Sequence, residues 1–194
     1  MAPNFRAANL DKDGSLLNDL DNKIFTRDFD IPSMSVQEEV EYLKDCQTFI
    51  YFEDNNPVGF YCYSQDNDGL VILKGVGVIP GHQNKGVGRK LMDNFLSRIE
   101  GKKSSLVVHP KNSGAIILYL KCGYKINGWK ENYYGDDQPR LLLERPGTLK
   151  PVRTPRSERP RQLSNSQSET PHRKILKTTN PHHKTVGLSG TGVK

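Results

Sequence analysis

Residues 76–90 read VGVIPGHQNKGVGRK, in which a strand-like apolar run passes through a glycine-containing turn into a helical pattern. At the start of a helix several backbone N–H groups lack partners, and glycine lets a ligand approach the backbone closely. The helix dipole and the basic residues Lys85, Arg89 and Lys90 add positive potential at the same place. The segment therefore predicts a binding site for a phosphate-containing ligand.

Two common phosphate-binding motifs do not fit this segment. The Walker pattern fails because Gly86 is followed by Val87, and the dinucleotide pattern fails because its third glycine would fall on Pro80. The pattern that fits is Gln-x-x-Gly-x-Gly, over residues 83–88. This hexapeptide resembles the pyrophosphate-binding signature of the GNAT (GCN5-related) N-acetyltransferase superfamily.

A second segment strengthens the resemblance. Residues 112–124 read NSGAIILYLKCGY, which resembles the second GNAT signature, N-x-x-A-x-x-L-Y-x-x-x-G-F/Y. Each segment follows a predicted strand and opens a predicted helix. Together the two motifs cover residues 76–124, and the order of elements extends the resemblance over residues 4–145.

Hydrophobic periodicity predicts the element order β-α-α-β-β-β-α-β-α-β-β. Helices are predicted over residues 10–25, 35–45, 86–100 and 112–122, the second opened by a capping box from Ser35 to Glu38. Strands are predicted over residues 4–8, 48–53, 58–64, 70–78, 105–109, 124–134 and 140–145. The resemblance implies an α/β (α+β) fold of the GNAT type, with a mixed, mostly antiparallel sheet of about seven strands flanked by four helices.

Charge divides the chain into two predicted regions. Residues 1–146 are the predicted acetyltransferase domain, and residues 147–194 are predicted to form a disordered basic tail rich in Pro, Ser and Thr. Residues 146–194 hold 10 Lys and Arg against 2 acidic residues and no aromatic residue, so they cannot bury a core. Such a tail suits contact with nucleic acid or another anionic surface, or serves only as a solubilising extension.

The remaining composition narrows the class of protein. No apolar run approaches the ~20 residues that cross a bilayer, and the N-terminus lacks the apolar core of a signal peptide. The cysteines Cys46, Cys62 and Cys122 form no CxxC pair, which predicts free thiols and no metal site. We therefore expect a cytoplasmic protein without a membrane span.

The resemblance implies acetyl-CoA as co-substrate and assigns residues to it. Backbone groups of residues 76–78 should pair with the pantetheine arm, residues 84–89 should surround the pyrophosphate, and Asn112 should contact the cofactor where two strands separate. The implied cofactor-binding residues are Val76, Gly77, Val78, Gln83, Asn84, Lys85, Gly86, Val87, Gly88, Arg89, Asn112 and Tyr119.

The same resemblance makes Tyr119 the catalytic residue, although a core aromatic is the alternative reading. A thiol has a pKa of about 8.5 and a tyrosine one of about 10, so Tyr119 stays protonated and can protonate the departing thiolate. The backbone N–H of Val78 is the predicted donor to the oxyanion. Transfer would be direct, and Cys122 is predicted to be a core residue rather than a nucleophile.

No general base follows from the sequence. The strand predicted over residues 70–78 contains no carboxylate, and Val107 stands where ribosomal-protein N-terminal acetyltransferases carry glutamate. His109, His82 and a water chain that ends on Glu53 are the alternatives. At neutral pH an α-amine is about 10–15% neutral and a lysine amine only ~0.04%, so a weak base favours an α-amine.

The predicted acceptor is a protein N-terminal α-amine. Residues 132–137, NYYGDD, resemble the tyrosine-pair hairpin of N-terminal acetyltransferases, in which Tyr133 and Tyr134 would line the peptide slot, although cross-strand packing is the simpler reading. Asp28 and Asp30 would favour a cationic acceptor from the opposite wall. The alternatives are a lysine or small-molecule amine acetyltransferase and a non-catalytic CoA-binding sensor.

Overall fold

The computed structural model describes residues 4–25 and 33–148, and these contain seven strands and four helices in the predicted order. The strands are β1 (Phe5–Ala7), β2 (Gln47–Glu53), β3 (Asn56–Gln65), β4 (Val71–Val78), β5 (Ser104–Val108), β6 (Lys125–Lys130) and β7 (Arg140–Arg145). The helices are α1 (Leu10–Phe25), α2 (Val36–Leu43), α3 (Val87–Arg98) and α4 (Ser113–Lys121). All described residues belong to one compact unit, Met1–Val152, whereas the unit Arg153–Lys194 lies outside them.

The strands form one sheet in the order β1-β2-β3-β4-β5-β7-β6. Every neighbouring pair is antiparallel except β4 and β5, so the predicted mixed, mostly antiparallel sheet is confirmed. The parallel pair is short, joining Val71 to Ser104 and Ile72 to Ser105. Beyond these residues the two strands diverge and leave a gap in the middle of the sheet.

A β-bulge marks the point of divergence. Cys62 of β3 pairs with Gly75 of β4, but Tyr63 pairs with Leu73, so Lys74 is an extra residue in β4. A bulge bends a strand and increases its twist. In this sheet Lys74 lies two positions after Ile72, the last residue of β4 that pairs with β5.

Buried side chains cover both faces of the sheet. On one face Leu91, Met92 and Phe95 of α3 pack with Tyr61 and other strand residues. On the other face the α1–α2 pair contributes a separate cluster containing Leu17, Leu20, Leu43, Ile50, Phe60 and Cys62. Each large apolar side chain that is fully buried stabilises the fold by about 1.5–3 kcal/mol.

Local contacts fix helices α1 and α2. The predicted capping box is present, with the Glu38 N–H donating to the Ser35 hydroxyl and the Ser35 N–H donating to the Glu38 carboxylate. A Cβ atom on Gly14 would lie 2.7 Å from Val40, so glycine is what lets α1 and α2 approach closely. The Arg6 guanidinium holds α1 against β1 through a bond of 2.7 Å to Asp13.

Two other predictions concern the cysteines and the absence of a membrane span. Cys46, Cys62 and Cys122 are free thiols, as the sequence indicated. Of the helices in the described ranges, none combines the length and the apolar character that a bilayer crossing requires.

Gly59 of β3 provides a test of the packing in the centre of the sheet. A Cβ atom at this position would lie 2.6 Å from the carbonyl oxygen of Gly77, a backbone atom that cannot move aside. We therefore expect Gly59→Ala to lower the free energy of unfolding by about 1–3 kcal/mol, measured by urea denaturation. Gly114→Ala is the control, because a Cβ there meets nothing within 4 Å. Equal stability of the two variants would contradict the observed close approach.

Candidate functional site

The turn after β4 leads directly into the N-terminus of α3. Gly86, the residue that precedes the helix, has a φ of 83° and caps it without a side-chain hydrogen bond. Gly81 and Asn84 also have positive φ, which closes the turn tightly. The first intrahelical bond runs from the Lys90 N–H to Gly86, so the N–H groups of the first turn remain open to an anion.

Gln83 attaches this turn to the end of β4. Its side-chain amide donates a hydrogen bond of 3.1 Å to the carbonyl oxygen of Val78. The glutamine of the Gln-x-x-Gly-x-Gly pattern therefore holds the turn against the end of β4.

Two of the basic side chains around the turn, Lys90 and His82, contact Glu53. Lys90 donates to the Tyr51 hydroxyl at 3.0 Å and lies 3.4 Å from a Glu53 oxygen, while His82 lies 3.2 Å from the other Glu53 oxygen. The hydrogen bond from His82 lowers the pKa of Glu53. Lys85 and Arg89 are exposed beside the turn, and Arg89 also pairs with Asp93 at 2.8 Å.

A cavity of about 490 Å³ occupies the gap between β4 and β5. Its walls come from both faces of the sheet: α1 and α2 contribute Asp21, Glu39 and Tyr42, and α4 contributes Ala115 and Tyr119. Volumes of this order are typical of small-ligand sites. The gap therefore connects the face that carries α3 and α4 with the face that carries α1 and α2.

Tyr119 and Asn112 lie on the α4 side of this cavity. Asn112 caps the helix, with its side-chain oxygen accepting from the Ala115 N–H at 3.1 Å. Tyr119 is buried against Tyr124 at a ring-centroid distance of 6.0 Å, and the described residues provide no hydrogen-bond partner for its hydroxyl. Burial raises the pKa of Tyr119, so the phenol remains protonated at neutral pH.

The backbone of β4 faces the gap at two predicted positions. The Ile79 N–H donates to Val58 at 3.0 Å, which makes the neighbouring Gly59–Val78 pair one without mutual hydrogen bonds. By the alternation of an antiparallel ladder, the N–H groups of Val76 and Val78 therefore point away from β3, towards the gap. This is the orientation needed to bond an extended ligand or an oxyanion.

The wall formed by β7 and the hairpin before it holds the tyrosine pair. Tyr134 lines the cavity, and Tyr133 packs edge-on against it with a centroid distance of 4.7 Å. The buried Arg140 pairs with Asp136, and its guanidinium lies 5.1 Å from the Tyr134 ring centre. Asp28 and Asp30, predicted for the opposite wall, fall outside the described residues.

The three candidate bases from the sequence are placed differently. His82 and Glu53 bond each other beside the turn that precedes α3 and do not line the cavity. His109 does line it, but its Nδ1 accepts the Lys111 N–H at 3.1 Å and its Nε2 lies 3.3 Å from the Gln138 oxygen. Because an acceptor Nδ1 has its lone pair occupied, His109 is poorly arranged to take a proton from a substrate.

Two carboxylates in the cavity were missed by the sequence analysis. Glu39 is 1% exposed, and burial, followed by the charge of Asp21, raises its pKa to about 7. Burial likewise raises the pKa of Asp21 to about 6. A signal was present, since Asp21 lies four residues after the core residue Leu17 and Glu39 four before Leu43. An acidic residue on the apolar face of a predicted helix therefore indicates a candidate site residue.

Comparison with known proteins identifies the family. A family model described as the acetyltransferase (GNAT) family matches residues 15–124. The chain belongs to the GNAT acetyltransferase family. The predicted family, the fold class and membership of an acyltransferase family are thereby confirmed.

Individual relatives are more distant. An N-alpha-acetyltransferase, RimI, of Mycobacterium tuberculosis is 34% identical over 59 residues, which is 30% of this chain and only 37% of that protein's length. A ribosomal-protein-alanine N-acetyltransferase from Escherichia coli has a TM-score of 0.66 at 17% identity, covering 77% of this chain and 97% of its own. A spermidine N-acetyltransferase chimera that includes the Vibrio cholerae protein has a TM-score of 0.61 at 21% identity, covering 73% and 93%. The last two likenesses concern the fold.

Gly86 provides a test of the anion-binding turn. An alanine methyl there would strain the left-handed backbone and project from the turn at the open helix end. We expect Gly86→Ala to weaken CoA binding by about 10-fold or more, measured by isothermal titration calorimetry, since each 1.4 kcal/mol is tenfold. Gly69→Ala is the matched control, because Gly69 has a similar φ of 82° in the β3–β4 turn. Equal loss of affinity in both variants would assign the effect to backbone strain alone.

The pKa of Glu39 predicts a pH dependence of stability. A pKa raised from 4.5 to about 7 means that the folded protein holds a proton that the unfolded chain has lost, so stability falls as the pH rises through this window. In the wild-type protein, Glu39 should make the free energy of unfolding fall by about 2–3 kcal/mol between pH 5 and pH 8, because one pKa unit corresponds to 1.36 kcal/mol. We expect this contribution to be absent in Glu39→Gln. Urea denaturation across this pH range measures it. Glu41→Gln, an exposed change on the same helix, should leave the profile unaltered.

Proposed function

We propose that this chain transfers an acetyl group from acetyl-CoA to a primary amine, preferably the N-terminal α-amine of a protein. The observation that carries the proposal is the cavity between β4 and β5, which has Tyr119 on one side and a carboxylate-lined wall on the other. A donor and an acceptor that enter from opposite faces would meet in this gap.

The donor half of the proposal uses backbone groups. The open N–H groups of α3 and the adjoining basic residues Lys85 and Arg89 would hold the pyrophosphate. The N–H groups of Val76 and Val78 would bind the pantetheine arm, and Val78 would also stabilise the oxyanion. Acetyl-CoA supplies the activated thioester, and the chain supplies binding and proton transfer.

The protonated Tyr119 would give its proton to the departing thiolate. Its buried position keeps the phenol neutral, and its hydroxyl, which has no hydrogen-bond partner among the described residues, could bond a ligand in the cavity. The phenolate would take back a proton from the newly acylated nitrogen, so the phenol is restored after each turnover. No covalent enzyme intermediate is required, and Cys122 packs in the core cluster.

The preference for an α-amine has two supports. Tyr134, backed by Tyr133, gives the cavity an aromatic wall at the position expected for the first residues of a peptide. The sequence relative is by its name an N-alpha-acetyltransferase. The rival is a lysine or small-molecule amine, because Asp21 and Glu39 suit any cationic acceptor. We assign the chemistry to residues 1–146 and propose no part in it for residues 147–194.

Replacing Tyr119 tests its role as the acid. We expect Tyr119→Phe to lower kcat by about 100-fold, the lower range for general-acid catalysis, and to leave CoA affinity nearly unchanged. Release of thiol from acetyl-CoA is the measurement. Tyr124→Phe is the control, because this neighbouring buried tyrosine bonds Ser104 at 2.8 Å and does not line the cavity. Unchanged turnover in Tyr119→Phe would remove it from the mechanism.

The same assay identifies the acceptor. Peptides with free N-termini, lysine peptides with blocked N-termini, and polyamines are compared at equal concentration. We expect the highest kcat/KM for free N-termini. A preference for lysine peptides or polyamines would favour the rival, and tight CoA binding without turnover on any amine would favour a sensor.

A further inference from the structure

Two carboxylates from helices α1 and α2 face the cavity that also contains Tyr119. Glu39 is 1% exposed and Asp21 is half-buried, and both line the cavity. The described residues offer no hydrogen-bond partner to Oε2 of Glu39. A buried carboxylate oxygen without a partner is costly, which makes it a candidate for contact with a ligand. This inference rests on the proposed function and concerns how the acceptor amine is prepared for attack.

The surrounding structure holds the carboxylates in place. The capping box fixes the start of α2, and Asn18 of α1 donates to the carbonyl of Met34 at 2.7 Å. Because Gly14 lets the two helices meet, Asp21 and Glu39 approach each other on the cavity side of α1 and α2. Their position is therefore set by helix packing and not by an exposed loop.

The charges near Glu39 leave a place for a cation. Asp21 on α1, Tyr42 on α2, Cys46 after α2, Cys62 on β3 and Lys74 on β4 are the titratable groups of the elements around it. Across the cavity lie Tyr119, His109, Tyr134 and the Asp136–Arg140 ion pair. In the described part of the chain no Lys or Arg forms an ion pair with Glu39 or Asp21. An ammonium group from a substrate would supply the missing positive charge.

We propose that Glu39, with Asp21 as a positioning residue, binds the ammonium group of the acceptor and takes its proton. Among the described residues of β4 and β5 that line the cavity, Val107 included, none carries a carboxylate. In the described part of the chain, the carboxylates that line the cavity outside an ion pair, Asp21 and Glu39, therefore come from α1 and α2 and not from the sheet. Asp21 acts through its charge, which strengthens the hold of Glu39 on the proton.

The proposed step balances in atoms and charge. The ammonium loses one proton to the Glu39 carboxylate and becomes a neutral amine. Its lone pair forms a C–N bond with the acetyl carbonyl carbon, and the C–S bond breaks as the oxyanion collapses. The second proton of the nitrogen reaches the thiolate through Tyr119, and Glu39 later releases its proton to solvent. The products are an amide, a free thiol and one proton.

Variants of α2 test the proposal in the full-length protein. Glu39→Gln removes the base, and Glu41→Gln is the matched control on the exposed side of the same helix. We measure kcat/KM from pH 5.5 to pH 9.5 with the best acceptor, together with CoA affinity by calorimetry. For Glu39→Gln we expect a loss of about 100-fold at neutral pH with CoA affinity unchanged. The loss should shrink as the pH approaches the pKa of the amine, which is then neutral without help.

Two further variants separate a base from a structural residue. Glu39→Asp should retain the acidic limb of the pH profile at a reduced rate. Asp21→Asn should move that limb to lower pH, because a neighbouring negative charge is removed, while most of the rate remains. An unchanged pH profile and rate in Glu39→Gln would overturn the proposal, as would equal effects of Glu39→Gln and Glu41→Gln.

Amine binding distinguishes this proposal from the proposed function. Binding of the acceptor amines to the CoA-bound protein is measured in buffers of different ionisation enthalpy, which counts the protons released. In Glu39→Gln we expect the amine to bind about 10-fold more weakly or worse and to release no proton. This result would support the carboxylate site even if no acetyl transfer occurs. If no amine binds the wild-type protein, both proposals fail. If the wild type turns over and Glu39→Gln equals it, only the role of Glu39 fails.

Discussion

The short parallel contact between β4 and β5 is the constraint on which the rest of the structure depends. Two residue pairs hold the halves of the sheet together, and the Lys74 bulge then turns β4 away from β5. Had the pairing continued, the sheet would be closed, and the backbone of Val76 and Val78 would bond a strand instead of a ligand. The gap gives helix pairs on opposite faces access to one volume. It therefore places Tyr119 from α4 and Glu39 from α2 on the walls of one cavity.

The sequence was sufficient for most of the fold because its local signals agree with its tertiary contacts. Helix α1 has the predicted bounds, Leu10–Phe25, and the capping box between Ser35 and Glu38 opens α2 as expected. Gly81 and Gly86, in the turn before α3, take left-handed conformations that favour glycine. The main difference lies in β6, which ends at Lys130, because the following residues through Tyr134 form turns and not a strand.

The site was less accessible to sequence reasoning, since its walls come from segments far apart in the chain. Tyr119 and Asn112 could be placed by their motif, but nothing local to Glu39 shows that α2 covers the gap beside β4. The bases predicted from the sequence were His109, His82 and Glu53. The structure engages each of these with other groups. The spacing between Glu39 and Leu43 indicates that Glu39 lies on the core-facing side of α2. To recognise Glu39 as a site residue also requires knowledge of what that side packs against.

The N-terminus of α3 would couple the binding of a ligand to the stability of the fold. The helix begins at a glycine that has no side chain to satisfy the first N–H groups, so a bound diphosphate would complete the helix end. A ligand that binds only the folded state stabilises it by mass action, by about 2.7 kcal/mol at a hundred times its dissociation constant. The lifetime of the protein in a cell would then follow the supply of its own donor. Molecules left empty when acetyl-CoA is scarce would open more often and be the first that proteases remove.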